Sequence, residues 1–151
     1  MLNGSDEWEI YSNIVRIARA MDQRNWAAIE NILTPNATGD FGTGVMSSSS
    51  EIVCLLRGFL DLCGPTQHLI GSVLIDVDGP EAKSQAYVAD THLGAGDLEG
   101  AEFRTLGDYH DSWIRTPTGW RLTHREKRHA GFVGNPLVVG FTERGEDHCR
   151  H

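Results

Sequence analysis

Cysteine is sparse in this chain: Cys54, Cys63 and Cys149 are the three it has in 151 residues, and no two stand in a CxxC pair. An odd count without paired spacing gives neither a disulfide framework nor a zinc ligand set, and a reducing, cytoplasmic setting suits such thiols best. Long apolar runs are missing too. No stretch approaches the roughly 18 apolar residues of a membrane span, and the opening MLNGSDEWEI has no basic segment followed by an apolar one. Neither a membrane anchor nor a leader is expected. Basic charge is in deficit: 13 Lys and Arg stand against 21 Asp and Glu, a formal charge of −8. Acids spread along the chain exclude the basic face on which nucleic acid or an anionic membrane would depend. The short GTG and GAG triplets fall well short of a nucleotide fingerprint, so no redox cofactor is expected.

What is present is apolar residues in two rhythms. From Trp8 to Asp22 two adjacent stripes run at helical spacing, Ile10, Ile14, Ile17, Met21 and beside them Tyr11, Val15, Ala18, Asp22. Ser12, Arg16, Arg19 and Gln23 make the polar face, so the segment predicts an amphipathic helix with Asp22 at the end of its buried side. Asn25 is placed to cap a second helix, Trp26 to Leu33, which Pro35 stops. TGDFGTG reads as a short strand or hairpin edge, and SSSSEIVCLLRGFLDLCG as serine caps followed by a helix that Gly64 closes. Beyond Gly64 the period becomes 2. TQHLIGSVLIDVDG, SQAYVADTHL, FRTLGDYHDSWIR and WRLTHREKRHAGF read as four long strands joined by short turns. Helices first and an antiparallel meander after them predict an α+β architecture with the helices on one face of the sheet. A chain of this length and 40% hydrophobic content fits one domain, residues 1–151, with 1–5 and the polar 138–151 at its periphery. On the first long strand Leu69, Val73, Ile75 and Val77 oppose Ile70 and Leu74. Both faces are apolar, which predicts a homo-oligomer.

Chemistry is expected where a polar residue interrupts a buried stripe. Asp22, after Tyr11, Val15 and Ala18, would be desolvated unless something pairs with it. His68 shares strand parity with Ile70, Ser72 and Leu74. Each alone reads as a solvent-facing helix end or a satisfied core histidine, but together they can form a pair. The carboxylate then fixes the tautomer and raises the basicity of an imidazole whose other nitrogen can take a proton. On the third long strand Phe103, Tyr109 and Trp113 share one parity with Asp111 among them, and His110 has the other. His92 and His124 fall on neighbouring strands. None of these histidines is spaced HxH or HxxxH, which argues against a metal site.

AMDQRNWAAIENILTPNA, TQHLIG and RTPTGWRLTHR together resemble the SnoaL-like branch of the nuclear-transport-factor-2-like superfamily. Within it the chain is similar to scytalone dehydratase, hexachlorocyclohexane dehydrochlorinase and the bile-acid dehydratases, from about Ser5 to Pro136. The D-x-R-x-W helix end and the T-x-H strand start carry the specificity, since the GW-R-L hairpin is common in non-enzymes. The resemblance implies a cone, a strongly curved sheet around a pocket that the helices close. It implies that Asp22 holds His68, the base. It implies a polar residue on the second long strand, Asp90 or His92, that polarises the leaving group or carbonyl. It also places Tyr109 at an inward polar position, and His124 where the dehydrochlorinase has a basic residue. Ile17 is a departure, standing where those lyases have a tyrosine or lysine, so a leaving-group partner must come from elsewhere.

The resulting expectation is an α+β cone whose apolar pocket is lined in part by Trp26, Phe41, Met46, Asp90, Tyr109 and Trp113. It would act without a cofactor on a hydrophobic cyclic or polyketide-like molecule, by proton abstraction and loss of water or another group. Asp22 and His68 would supply the base, and Tyr109, His92 or His124 would stabilise the enolate. Assembly as a trimer is implied by the dehydratases, or as a dimer by much of the superfamily. An isomerase or cyclase shares the first step, and a non-catalytic binding or assembly module is the reading from a different class. Whether Asp22 and His68 meet within about 3.2 Å inside a pocket separates enzyme from module.

Overall fold

The computed structural model describes residues 4–141. Cys149 and the rest of 142–151 lie outside them. Helix α1, Gly4–Gln23, buries Ile10, Ile14, Ile17 and Met21 as its spacing predicts. Its second stripe is weaker than expected, because Tyr11 is exposed and stacks on Trp8 at 5.8 Å. The N-terminal turn is pinned instead by charge: Asp6 accepts both Arg115 nitrogens at 2.7 Å and the Trp120 indole N–H at 3.1 Å. Asn25 caps α2, Trp26–Glu30, by accepting from the Ala28 N–H. That helix stops short of Leu33, contrary to expectation. Leu33–Asp40 forms strand β1, parallel to the last strand, with an irregularity between Leu33 and Thr38. Pro35, which has no N–H to give a ladder, sits inside that irregular stretch.

Strand β2, Val45–Met46, is brief, and α3, Ser49–Leu60, begins at the cap Ser48. The long strands follow: β3 Thr66–Asp78, β4 Glu81–Leu93, β5 Glu102–Thr116 and β6 Gly119–Gly134. They pair antiparallel in a six-stranded sheet of order β2-β1-β6-β5-β4-β3. The sheet is curved and unclosed, and the helices pack on its inner face to enclose a core that includes Trp113, Trp120, Ile29 and Leu56. Fully burying an aliphatic side chain such as Ile14 contributes about 1.5–3 kcal/mol.

Bulges bend this sheet and change which residues face inward. Ser72 takes a left-handed φ of 49°, and the β3–β4 register shifts between Gly71 and Leu74. Val73, Ile75 and Val77 therefore pack toward the core while Leu74 is 67% exposed, which corrects the parity that grouped His68 with Ser72 and Leu74. A second shift lies between Ser112 and Trp113 against His124 and Leu122 of β6. It leaves Thr123 as the extra residue, so Trp120 and Leu122 face inward before it, Arg125 and Lys127 after it, and His124 outward. The 3-10 turn Pro136–Val139 buries Val138 and Val139 against Phe103, although residues from 138 onward were expected outside the core.

Candidate active site

Met21, Phe41, Leu56, Phe59, Leu60, Phe103, Val139 and Phe141 form apolar walls around a pocket with about 520 Å³ of empty space, its open mouth included. Its polar side chains come from the inward rows of the four long strands: His68, Asp90 and His92, Thr105 and Tyr109, Lys127 and His129.

Asp22 stands behind His68 at the end of α1. Its Oδ1 lies 2.6 Å from His68 Nδ1, and its Oδ2 accepts the His68 backbone N–H at 3.0 Å. A third bond comes from the Thr66 hydroxyl to Oδ1 at 2.9 Å. Burial alone would raise the Asp22 pKa. The bonds from the His68 ring and backbone, with Thr66, outweigh it and hold the carboxyl below its ordinary value of 3.8. A carboxylate only accepts, so Nδ1 carries a proton, and in the neutral ring the lone pair is then on Nε2.

A second carboxylate organises the opposite side. Asp90 is 2% exposed and accepts the Thr105 N–H at 3.0 Å, the Thr105 hydroxyl at 2.5 Å and the Lys127 ammonium at 2.5 Å. Burial works against this charge too, but Lys127 and Thr105 outweigh it and keep the pKa low. His92 gives its Nδ1–H to the Phe103 carbonyl at 3.0 Å, and its ring meets that of His68 edge-on with centroids 5.6 Å apart. Here burial wins over the attraction of Asp90, and the His92 pKa is lowered, so the ring is neutral at neutral pH. Tyr109 lies under the Arg125 guanidinium at 3.9 Å, and Arg125 is itself paired with Asp111 at 2.7 Å. Burial raises the Tyr109 pKa, so the phenol keeps its proton, and its hydroxyl has no hydrogen-bond partner among the described residues. It is a free donor at the pocket wall.

His68, Asp90 and His92 bring ligating atoms within 4.8 Å of one another, a closeness that HxH spacing could not reveal because it arises across strands. However, both Asp90 oxygens are already held by Thr105 and Lys127, and a divalent cation would have to displace the ammonium. The donor set fits proton transfer beside a fixed cation better than it fits metal chelation.

Of the residues expected to line the pocket, Phe41, Asp90, His92 and Tyr109 do. Trp113 does not: it is buried in the core with its indole N–H on Ser84 Oγ at 2.8 Å. Trp26 and Met46 also pack on the core and not on the pocket. His124 is turned outward by the bulge and lies 2.6 Å from Thr38 Oγ1, too far round the strand to act. Lys127 and Thr105 were missed. The same bulge hid Lys127, but Thr105 could have been found, since it shares the parity of Phe103 and Tyr109.

The SnoaL-like domain profile matches residues 4–126. The chain belongs to the SnoaL-like family. This SnoaL-like domain is 31% identical over 123 residues to the uncharacterized protein Rv2910c of Mycobacterium tuberculosis, covering 80% of this chain and 83% of that one. Among solved structures, the Kfla4162 protein of Kribbella flavida superposes with a TM-score of 0.82 at 21% identity, over 90% of this chain and 97% of that one. A candidate scytalone dehydratase from Novosphingobium aromaticivorans gives 0.79 at 15% identity, over 87% and 88%. A nuclear transport factor 2-like superfamily protein from Salmonella enterica gives 0.77 at 17%, over 85% and 93%. At these identities the structures establish for the SnoaL-like domain a shared fold, that of the nuclear-transport-factor-2-like superfamily.

Proposed function

We propose that this domain is a cofactor-independent lyase of the dehydratase type, acting on an uncharged hydrophobic cyclic or polyketide-like small molecule. The observation that carries the reading is the 2.6 Å contact of Asp22 with His68, whose ring lines an apolar pocket. His68 Nε2 takes a proton from the carbon beside a carbonyl. The electron pair of the C–H bond moves toward the carbonyl oxygen, where the Lys127 ammonium and the Tyr109 hydroxyl are the available donors. As the enolate collapses, the C–O bond on the next carbon breaks. The imidazolium returns its proton to the departing hydroxide, which leaves as water, and His68 is neutral again. Lys127 also answers the departure at Ile17, because it supplies from β6 a donor where the similar lyases have a tyrosine or lysine on the first helix. The fold shared with a candidate scytalone dehydratase supports a small-molecule-processing role. We extend the proposal to a homo-oligomer, dimer or trimer, formed through the outer face of the sheet.

The test is elimination in D2O with a panel of cyclic β-hydroxy ketones, followed by enone absorbance and by NMR for α-proton exchange. Both signals are expected and both should vanish in His68→Ala. Exchange without enone would favour the isomerase or cyclase reading, in which the imidazolium returns its proton to another carbon. Binding with neither signal would favour a binding module and overturn the proposal.

A further inference from the structure

Arg24 adopts a φ of 56°, a left-handed conformation that is strained for a residue other than glycine. Its side chain shows what the conformation gains. Nη1 donates to the Met21 carbonyl at 2.8 Å and to Thr66 Oγ1 at 2.8 Å, and Nη2 donates to the Gly64 carbonyl at 3.1 Å. The guanidinium thereby ties the end of α1 to the loop that leads into β3. A guanidinium has no acceptor, so toward Arg24 the Thr66 oxygen must accept, and its single proton is left for Asp22 Oδ1. The ionised Asp22 carboxylate likewise only accepts, so the hydroxyl is oriented from both sides and held between the guanidinium and the carboxylate.

We propose that Arg24 and Thr66 are positioning residues for the Asp22–His68 pair, a donor-only relay that locks the carboxylate so that His68 keeps its proton on Nδ1 and presents Nε2 to the pocket. The relay runs in one direction, from Arg24 to Thr66 to Asp22, and meets the His68 ring and backbone donors on the same carboxylate. With Thr66 and His68 Nδ1 sharing Oδ1 and the His68 backbone N–H on Oδ2, the carboxylate plane is fixed by three donors. Remove the hydroxyl and Asp22, whose side chain is 18% exposed, can turn about its last torsion toward water. The relay also explains the D-x-R and T-x-H spacings together: each pair puts the relay residue two positions from the one it serves.

The other groups that face the pair are His92 and Asp90 from β4, Tyr109 from β5 and Lys127 from β6. None of them touches Asp22, so their contribution is common to the variants compared.

The proposal rests on the pair used in the proposed function, but its test reads the imidazole and carboxyl directly and needs no substrate, so it stands or falls apart from the lyase reading. In protein labelled with 15N and 13C, the wild type is expected to show His68 as the Nδ1–H tautomer, with a downfield Nδ1 proton sheltered from exchange. In Thr66→Val that proton should exchange into the water signal, a second tautomer should appear, and the Asp22 carboxyl should titrate higher by about half a unit or more. Thr66→Ser, which keeps the hydroxyl, should match the wild type. Arg24→Gln, which loses the charged donor that holds Thr66, should resemble Thr66→Val, whereas Arg24→Lys, which keeps a donor-only cation, should retain most of the wild-type signature. The resonances of His124 and His129, outside the relay, report whether each variant is folded. If Thr66→Val is unfolded, the Arg24→Gln and Arg24→Lys comparison decides alone. A wild-type tautomer and Asp22 titration in folded Thr66→Val or Arg24→Gln, or a Thr66→Ser variant that behaves like Thr66→Val, would overturn the relay.

Discussion

At the scale of single residues, the site is two carboxylates given opposite tasks by their neighbours. Asp22 meets an imidazole and Asp90 meets an ammonium, and both stay ionised in spite of burial because donors converge on them. In the proposed reaction the first arrangement serves as the base and the second as a fixed positive charge. His68→Ala is therefore expected to abolish turnover, and Asp22→Asn to lower kcat by about 10²-fold or more, since the amide can no longer enforce the Nδ1–H tautomer. His124→Ala serves as the control. Its side chain faces Thr38 on the outer surface, and steady-state kinetics should show kcat and KM unchanged. A large loss in His124→Ala would mean that the outward orientation is wrong.

At the scale of elements, legibility followed the regularity of the backbone. Ile10, Ile14, Ile17 and Met21 read as a helix because nothing interrupts their period, and Asp22 and His68 were readable because each lies on a regular stretch next to a clear boundary. The rest was hidden by insertions of single residues. One extra residue at Ser72 exchanged the faces of Val73 and Leu74, and one at Thr123 exchanged those of His124 and Lys127, a change no alternation count can detect. The sequence pattern puts Leu33 in a helix and places a short strand only from Thr38 in TGDFGTG, so the start of β1 is not legible, because its pairing is with β6, far along the chain. Gly107 is the local trace of what the bulges achieve. A Cβ there would lie 2.6 Å from Lys127 Cε and 2.9 Å from Val88 Cγ1, so the lysine stem crosses β5 only because that position is bare. Gly107→Ala should push the ammonium away from Asp90. The expected outcome is a fall in kcat with the circular dichroism spectrum retained; wild-type kinetics would show that Lys127 has no part in the reaction.

At the scale of the whole molecule, acid should weaken the fold in two stages. Above pH 6.5 His92 is neutral whether folded or unfolded. As the pH falls below 6.5 the unfolded chain takes up a proton that the buried ring, with its lowered pKa, refuses, and stability declines until the folded value is passed. Asp22 and Asp90 add stability that is present above 3.8 and is lost as the pH falls through their lower folded values. Melting temperature should drop as the pH falls below about 6.5, and His92→Gln should flatten that first stage while leaving the second. Assembly is the other property of the whole. Leu69, Leu74, Tyr87 and Leu106 are each at least 58% exposed on the outer face, and Leu69 and Leu106 flank Ala89 in register across β3, β4 and β5. So continuous an apolar patch on a sheet is unusual for a surface that stays in water. The bulge turns Val73, Ile75 and Val77 inward, so fewer apolar residues face outward than the alternation of β3 suggests. Sedimentation equilibrium should nevertheless give a dimer or trimer mass, and Leu106→Lys, which places a charge at the middle of the patch, should shift it toward the monomer without lowering the melting temperature of the monomer itself. A wild-type monomer that persists at high protein concentration would leave the outer face as a solvent-exposed surface and remove the case for assembly.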